Sequence, residues 1–313
     1  MKSRILWWVA RMARFRSLAM VIQLSLILSL VLVLFTASAA AGPLVYVVTV
    51  SQQFGTVDLA SGQFSPIGNG TKDSFSNLVW WKGSLVTLIT PPSPAAGSLV
   101  RIDPATGEEQ GVPHQITVKG QGPLLGFAFD LAEVRGRLYV TDFNNNIYSV
   151  DGDTGVATPV GLHDGATGMP PDTNPPLTFD PSDQHTFFLC DEGLYGVGGQ
   201  LYATFDSFAI DPYQNPPTRN HEYVPPFLWR IDSFTGAATF VAKTDWYLSA
   251  LVEVDGKVYA FRNVFDGFDF NYQIPIGHVE LVTLDLATGK TDKLGDVNPN
   301  FGPIVGAVPV RLQ

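Results

Sequence analysis

Short runs of alternating apolar and polar residues recur along the chain after residue 42, and tight turns with glycine separate them. Four such segments align on Gly83, Gly136, Gly199 and Gly256: NLVWWKGSLVTLI, AFDLAEVRGRLYVTD, GLYGVGGQLYATF and ALVEVDGKVYAF. A period of two is typical of half-buried β-strands, and glycine is favoured in the turns between them. Each segment therefore predicts a strand–turn–strand unit.

A second pattern, Asp-x-x-(Ser or Thr)-Gly after an apolar strand, occurs five times. Its aspartates are Asp58, Asp103, Asp151, Asp232 and Asp285. An aspartate side chain can accept hydrogen bonds from backbone N–H groups two residues on, and glycine supplies a positive φ before the next strand. We therefore interpret these aspartates as hairpin-turn residues rather than metal ligands.

Together the two patterns predict repeated four-stranded antiparallel units, which indicate an all-β fold of the β-propeller type. GPLVY at 42–46 aligns with the second strand of such a unit, GRLYV at 136–140. The C-terminal segment 302–312 is therefore expected to supply the missing first strand and close the ring. The spacing of the aspartates predicts five blades, while the long interval between Asp151 and Asp232 leaves six possible. Residues 42–313 are predicted to form this single domain.

Three long segments are expected to emerge on one face of the ring. If the strands of a blade are labelled A (innermost) to D, the B–C and D–A connections share a face, and the long ones are 162–180, 206–226 and 263–278. The last two are rich in aromatic residues among polar ones, as in recognition surfaces for a glycan, a peptide or another small molecule. The predicted ligand-binding residues there are Tyr213, His221, Tyr223, Phe268, Asp269 and Tyr272. Alternatively, these aromatics simply pack the segments onto the ring.

The mouth of the central tunnel is the second predicted site. Asp245 and Trp246 are expected near it as ligand-binding residues, and Asp130, Asp191 and Glu192 are weaker candidates for metal ligands. A ring of carboxylates there could bind calcium or a sugar, or form a hydrated rim. No catalytic residue is assigned, because motifs for zinc hydrolases, serine nucleophiles and phosphate-binding loops are missing from the sequence.

Residues 1–41 have the composition of a targeting segment. Basic residues precede an uncharged apolar run at 18–35, and the small residues of TASAAAG follow. This order predicts a signal peptide cleaved after Ala41, and the alternative is an uncleaved membrane anchor. The protein is thus expected outside the cytoplasm, secreted or periplasmic, with a membrane contact only if the segment is retained.

The charge balance argues against nucleic acid as a partner. The chain has 29 acidic and 19 basic residues, for a formal net charge of −10. Removal of residues 1–41, whose only charged side chains are basic, would make it more acidic. Such a chain repels a phosphate backbone.

The stretch LYVTDFNNNIYSVDGDTG, residues 138–155, resembles the YVTN-type repeat of secreted and periplasmic β-propellers and the broader LYxIDxxTG set. The resemblance covers nearly all of 42–313 and implies a propeller and an exported protein, without implying an activity. Similar propellers that hold a quinone cofactor usually carry a Trp soon after Thr-Gly. That Trp is missing from this sequence, and no cofactor is predicted apart from the possible calcium.

The sequence as a whole favours an exported, non-enzymatic propeller that binds an unidentified small molecule, glycan or protein on its loop-rich face. The alternative is an enzyme, either a metal-dependent lactonase-like hydrolase or a glycoside hydrolase, with carboxylates at the tunnel mouth.

Overall fold

A computed structural model gives the structure of the protein, and it describes most of the chain after residue 41. The described residues are 42–71, 73, 75–89, 97–124, 130–142, 146–162, 186–210, 224–244, 248–269 and 274–311. Backbone alone is described for 161–162, 186–192, 205–210, 224–227, 265–269 and 274–276. The predicted signal segment 1–41 lies outside these residues. Within them, no helix is long and apolar enough to cross a membrane.

The first sheet, blade 1, joins the two ends of the described chain. From the innermost strand outward it consists of β22 (Ile304–Pro309), β1 (Leu44–Thr49), β2 (Phe54–Asp58) and β3 (Phe64–Pro66). β1 pairs antiparallel with β22, with Val45 opposite Pro309 and Val47 opposite Ala307. The predicted closure by a C-terminal innermost strand is therefore confirmed, and it pairs strand edges that would otherwise be exposed.

Three further sheets follow chain order from the innermost strand outward. Blade 2 consists of β4 (Phe75–Trp81), β5 (Ser84–Ile89), β6 (Ser98–Ile102) and β7 (Glu109–Gln115). Blade 4 consists of β14 (Thr186–Val197), β15 (Gln200–Ile210), β16 (Val224–Ile231) and β17 (Ala238–Lys243). Blade 5 consists of β18 (Leu248–Val254), β19 (Lys257–Asp269), β20 (Ile274–Leu284) and β21 (Thr291–Asp296).

Blade 3 carries two additional strands that the sequence analysis did not predict. Its strands are β10 (Leu131–Val134), β11 (Arg137–Thr141), β12 (Asn146–Val150) and β13 (Val156–Leu162), followed by β8 (Thr117–Val118) and β9 (Gly122–Pro123). β8 pairs in parallel with β13 and so covers part of the outer edge of the blade. Ile116 and Leu124 beside this small hairpin are buried between blades 2 and 3, and they hold it in place.

The hydrophobic core is divided into five clusters, one between each pair of neighbouring blades. Representative pairs, in ring order from the 1–2 boundary to the 5–1 boundary, are Phe54 and Trp80, Trp81 and Leu138, Tyr139 and Trp229, Tyr195 and Leu251, and Phe261 and Val47. Because the last cluster joins blade 5 to blade 1, the ring is closed. The described residues thus form a five-bladed β-propeller, and the six-bladed alternative is wrong.

The five repeated aspartates are turn residues, as predicted. In each turn the glycine N–H donates to the aspartate backbone carbonyl, at 2.7–2.8 Å. The carboxylates accept from main-chain N–H groups, for example Asp151 from Asp153 (2.9 Å) and Thr154 (3.1 Å). Such bonds from Phe234 and Thr235 lower the pKa of Asp232 below its ordinary value.

Gly155 has φ +72°, and a Cβ there would lie 2.5 Å from the carbonyl oxygen of Gln115 in blade 2. Glycine at position 155 is therefore required both by the turn and by the packing of blade 3 against blade 2.

Candidate binding sites on the two faces of the ring

One face of the ring carries the A–B turns, which are short in every blade where the structure describes them. They are the pairs Lys82–Gly83, Arg135–Gly136, Gly198–Gly199 and Asp255–Gly256, and all eight residues have positive φ. Positive φ at both central residues defines the type I′ turn, whose twist matches that of the flanking strands. The A–B turns therefore add little bulk to this face.

The opposite face carries hairpins that extend beyond the ring in blades 4 and 5. β15 has 11 residues and β19 has 13, whereas β5 and β11, at the same position in blades 2 and 3, have six and five. Most of the predicted connection 263–278 is strand, because β19 continues to Asp269, which pairs with Ile274. Strand also occupies both ends of 206–226. Backbone pairing within the hairpin satisfies polar groups that an open loop would leave to water.

Most of the predicted ligand-binding residues lie where their side chains are not described. Outside the described residues are Tyr213, His221, Tyr223, Asp245, Trp246 and Tyr272, and most of the segment 162–180. Phe268 and Asp269 are on β19 near the hairpin end, where their backbones pair with Pro275 and Ile274. Asp191 and Glu192 are on the innermost strand β14. The expectation that carboxylates at the tunnel mouth bind calcium, and the alternative that they catalyse hydrolysis, therefore stay predictions.

The tunnel is crossed by Asn77, a residue of β4 with φ +46° at a β-bulge. Its Nδ2 donates to the carbonyl oxygen of Leu194 on β14 at 2.9 Å, and its Oδ1 accepts from the N–H of Leu78 at 2.8 Å. On β22, a Cβ at Gly306 would lie 2.5 Å from the Cα of Asn77. The chain thus occupies the middle of the tunnel with its own side chain. Asp130, a weak metal candidate, is buried just before β10.

A buried carboxylate in blade 5, Glu280, has two cations around it. Its side chain is 8% exposed, and Arg262 and Lys293 bind its two oxygens, Lys293 at 2.6 Å from Oε1. Burial raises the pKa of Glu280, but the hydrogen bonds and charges of Lys293 and Arg262 outweigh that effect, so the pKa lies below its ordinary value. His278 Nε2 lies 3.6 Å from Oε1.

The same cluster is the one group of potential metal ligands found in the described part of the chain. Ligand atoms of His278, Glu280 and Asp296 lie within 4.8 Å of one another. However, the Lys293 ammonium contacts both carboxylates, with its Nζ 2.7 Å from Asp296 Oδ1. An ammonium group therefore occupies the position between the anions, and the arrangement is an ion-pair network of strands β19, β20 and β21.

A cavity of about 280 Å³ lies in the tunnel on the A–B turn side. Its walls are formed by residues of all five innermost strands and of the A–B turns of blades 3, 4 and 5. The charged residues that line it are Glu133, Arg135, Glu253, Asp255 and Arg311. Sequence reasoning missed these residues because it followed the long connections to the other face. The available signal was the charged residues Arg135 and Asp255 in two of the A–B turns.

Comparisons with known proteins find similar structures but no family. No protein-family model matches the chain, and no curated protein matches it. The chain is similar to the computationally designed protein Ika8, with 14% identity over 86% of this chain and 63% of that one and a TM-score of 0.30. The chain therefore spans less than two thirds of the length of Ika8.

Two natural proteins show a similar level of likeness. BamB from Moraxella catarrhalis is 12% identical over 81% of this chain and 70% of its own, with a TM-score of 0.31. The WD40 domain of Neurospora crassa Pan2 is 9% identical over 86% and 70%, with a TM-score of 0.33. At these scores the assignment of the chain to the β-propellers rests on its own sheet order and its five inter-blade clusters.

Proposed function

We propose that this protein is an exported, non-enzymatic binding module that engages a glycan, peptide or protein on the face of its extended hairpins. The observation that supports this proposal most is the concentration of long strands in two neighbouring blades. β14 and β15 pair as far as Thr186 and Ile210, and β19 and β20 as far as Asp269 and Ile274. In the described parts of the corresponding hairpins, β5 of blade 2 has six residues and β11 of blade 3 has five.

The extended hairpins have the composition of a recognition surface. Residues 206–226 and 263–278 together hold several Phe and Tyr residues among Asp, Asn and His. Aromatic side chains contribute large apolar contact areas, and the polar groups between them supply specificity. Because the hairpins are paired strands, they can present these side chains with less loss of conformational entropy than an open loop would.

Export is the second half of the proposal, and it follows from the segment 1–41 and from the resemblance to the YVTN-type repeats. We expect the secreted or periplasmic protein to begin at Gly42. Mass spectrometry of protein recovered from the extracytoplasmic fraction would test this. An intact mass that retained residues 1–41 would instead indicate a membrane anchor.

A hairpin truncation tests the binding face. Residues 266–276 are replaced by Asn-Gly, which favours a type I′ turn and closes the hairpin beyond the paired residues Phe265 and Gly277. Purified protein is screened against immobilised glycans and a peptide library, and we expect the truncation to abolish binding that the wild type shows. The matched control is Lys82→Asn, which creates the same Asn-Gly turn on the opposite face and should leave binding intact.

Two results would contradict this proposal. Binding that survives both this truncation and a parallel truncation of residues 211–223 would place the ligand elsewhere. Binding lost equally in the Lys82→Asn control would point to a general effect on the ring, which the melting temperatures of the two variants would show.

A further inference from the structure

We propose that the 280 Å³ cavity on the A–B turn face is a second binding site, and that its ligand is a small zwitterion of amino-acid type. The volume is slightly below the range of about 300–1,000 Å³ that is typical of drug-sized ligands, so a smaller molecule fits it. The cavity is closed at its inner end by Asn77, which crosses to β14. It opens on the face opposite to the extended hairpins, so it does not depend on the function proposed above.

Arg135 supplies one cationic group at the mouth. It is exposed, and the described residues provide it with no ion pair. Its side chain lies over the Gly198–Gly199 turn of blade 4, so that a Cβ at Gly199 would be 3.4 Å from Nε. Of the four A–B turns, this one alone has no side chain at either central residue. The two glycines therefore leave space beside the Arg135 guanidinium.

Arg311, two residues after β22, supplies a second cationic group to the lining of the cavity. Its guanidinium carbon lies 5.6 Å from the ring centroid of Trp80, a distance suited to a cation–π contact. The indole is itself fixed, because Nε1 donates to the carbonyl oxygen of Pro309 at 2.6 Å. The planar guanidinium groups of Arg135 and Arg311 match the geometry of a carboxylate.

Three carboxylates line the same cavity. Glu133 accepts a hydrogen bond from the N–H of Gly136 in its own turn, and Glu253 accepts from the N–H of Gly198 in the neighbouring blade. Each of these two side chains is half-buried and fixed through one oxygen, which leaves the other oxygen available to a ligand. Asp255, in the turn after β18, is exposed. An ammonium group is the natural partner of such oxygens.

Both signs of charge thus converge at one small mouth. A ligand with a single charge would pair with one set and leave the other beside it without a partner, whereas a zwitterion pairs with both. Carboxylate–guanidinium bonds and ammonium–carboxylate bonds together would also fix its orientation.

Calorimetric titration of the full chain in a non-ionic detergent tests the site. The probes are leucine, N-acetyl-leucine, which lacks the ammonium group, and leucinamide, which lacks the carboxylate. We expect leucine to bind and each analogue to bind at least about tenfold more weakly, since a hydrogen bond to a charged group is lost. Low ionic strength is needed because salt screens exposed charges.

Substitution at the two arginines separates the ligand groups. Arg135→Gln and Arg311→Gln should each lower the affinity for leucine by about tenfold and leave the affinity for leucinamide unchanged. The matched control is Arg101→Gln, which removes an exposed arginine that pairs with Asp153 outside the cavity. It should change neither affinity.

Three outcomes would overturn the inference. The first is no heat of binding for leucine at about 100 mM with wild-type protein whose melting transition shows that it is folded, because a site of this kind should bind at least at millimolar level. The second is leucine binding unaffected in the Arg135→Gln, Arg311→Gln double variant. The third is leucinamide binding as tightly as leucine, which would remove the carboxylate from the recognised chemistry.

Discussion

The B–C hairpins of blades 3 and 5 begin alike and end differently. In blade 3, β11 stops at Thr141, and Asp142 caps the hairpin. Asp142 Oδ1 accepts from the N–H of Asn146 at 2.9 Å, and Oδ2 accepts from Asn146 Nδ2 and from the hydroxyl of Tyr148 at 3.0 Å. At the equivalent position of blade 5, counted from the A–B turn, the residue is Arg262, and its partner across the strands is Glu280.

The two hairpins thus carry different side-chain chemistry at the same position. Aspartate at a strand end accepts N–H groups of its own turn and so stops the ladder. Arginine has no acceptor for those N–H groups, but it can pair with a glutamate on the facing strand, and the ladder of β19 and β20 continues beyond it. In the described residues the strand ladder ends with Thr141 and Ile147 in blade 3, whereas in blade 5 it continues to Asp269 and Ile274.

Removing Glu280 should have the largest effect on this comparison. Glu280→Ala removes a buried anion that binds Arg262, whose side chain is 15% exposed. We expect the free energy of unfolding to fall by about 3–5 kcal/mol, as when one member of a buried ion pair is removed. Urea denaturation of the variant and the wild type measures the loss.

An exposed ion pair provides the control for that experiment. Asp153 binds Lys82 at 2.8 Å and Arg101 at 3.0 Å, but all three side chains are roughly half exposed. Asp153→Ala should cost far less than Glu280→Ala, because exposed ion pairs contribute little to stability. Equal losses in the two variants would contradict the claim that burial gives the Glu280 network its importance.

Removing the cap of blade 3 should have an intermediate effect. Asp142 is 4% exposed, and Asp142→Ala withdraws the acceptor for Asn146 and Tyr148, at a cost of about 1–3 kcal/mol.

Burial and the Asp142 carboxylate together raise the pKa of Tyr148 to about 12. Asp142→Asn should lower that pKa, as measured by the ultraviolet titration of tyrosinate with Tyr148→Phe as reference. An unchanged pKa would show that burial alone raises it.

Local chemistry explains why much of the fold could be predicted from the sequence. The Asp151 turn is set by residues within four positions of each other, and its repetition in five copies gave the blade count. Ring closure followed from the alignment of Leu44 with the second strand of the other units, since a missing innermost strand had to come from the C-terminal end.

Long-range pairing explains what could not be predicted. β8 and β9 have two residues each, too few to show a period, and β8 joins β13 in parallel across blade 3. Arg262 and Glu280 are 18 positions apart in sequence, and their pairing depends on the register of β19 and β20. The cavity beside Arg135 arises only when the five innermost strands come together.

The smallest effect expected concerns the pH dependence of blade 5. Because the pKa of Glu280 in the folded protein lies below its unfolded value of about 4.3, its contribution to stability is present above that pH and is lost as the pH falls through the folded pKa. Glu280→Gln cannot titrate, so the difference in unfolding free energy between the wild type and this variant should shrink from about pH 6 to pH 3. Both proteins should carry His278→Gln, which removes the neighbouring imidazole. A difference that stayed constant over this range would mean that Arg262 and Lys293 do not favour the charged form of Glu280 in the folded ring.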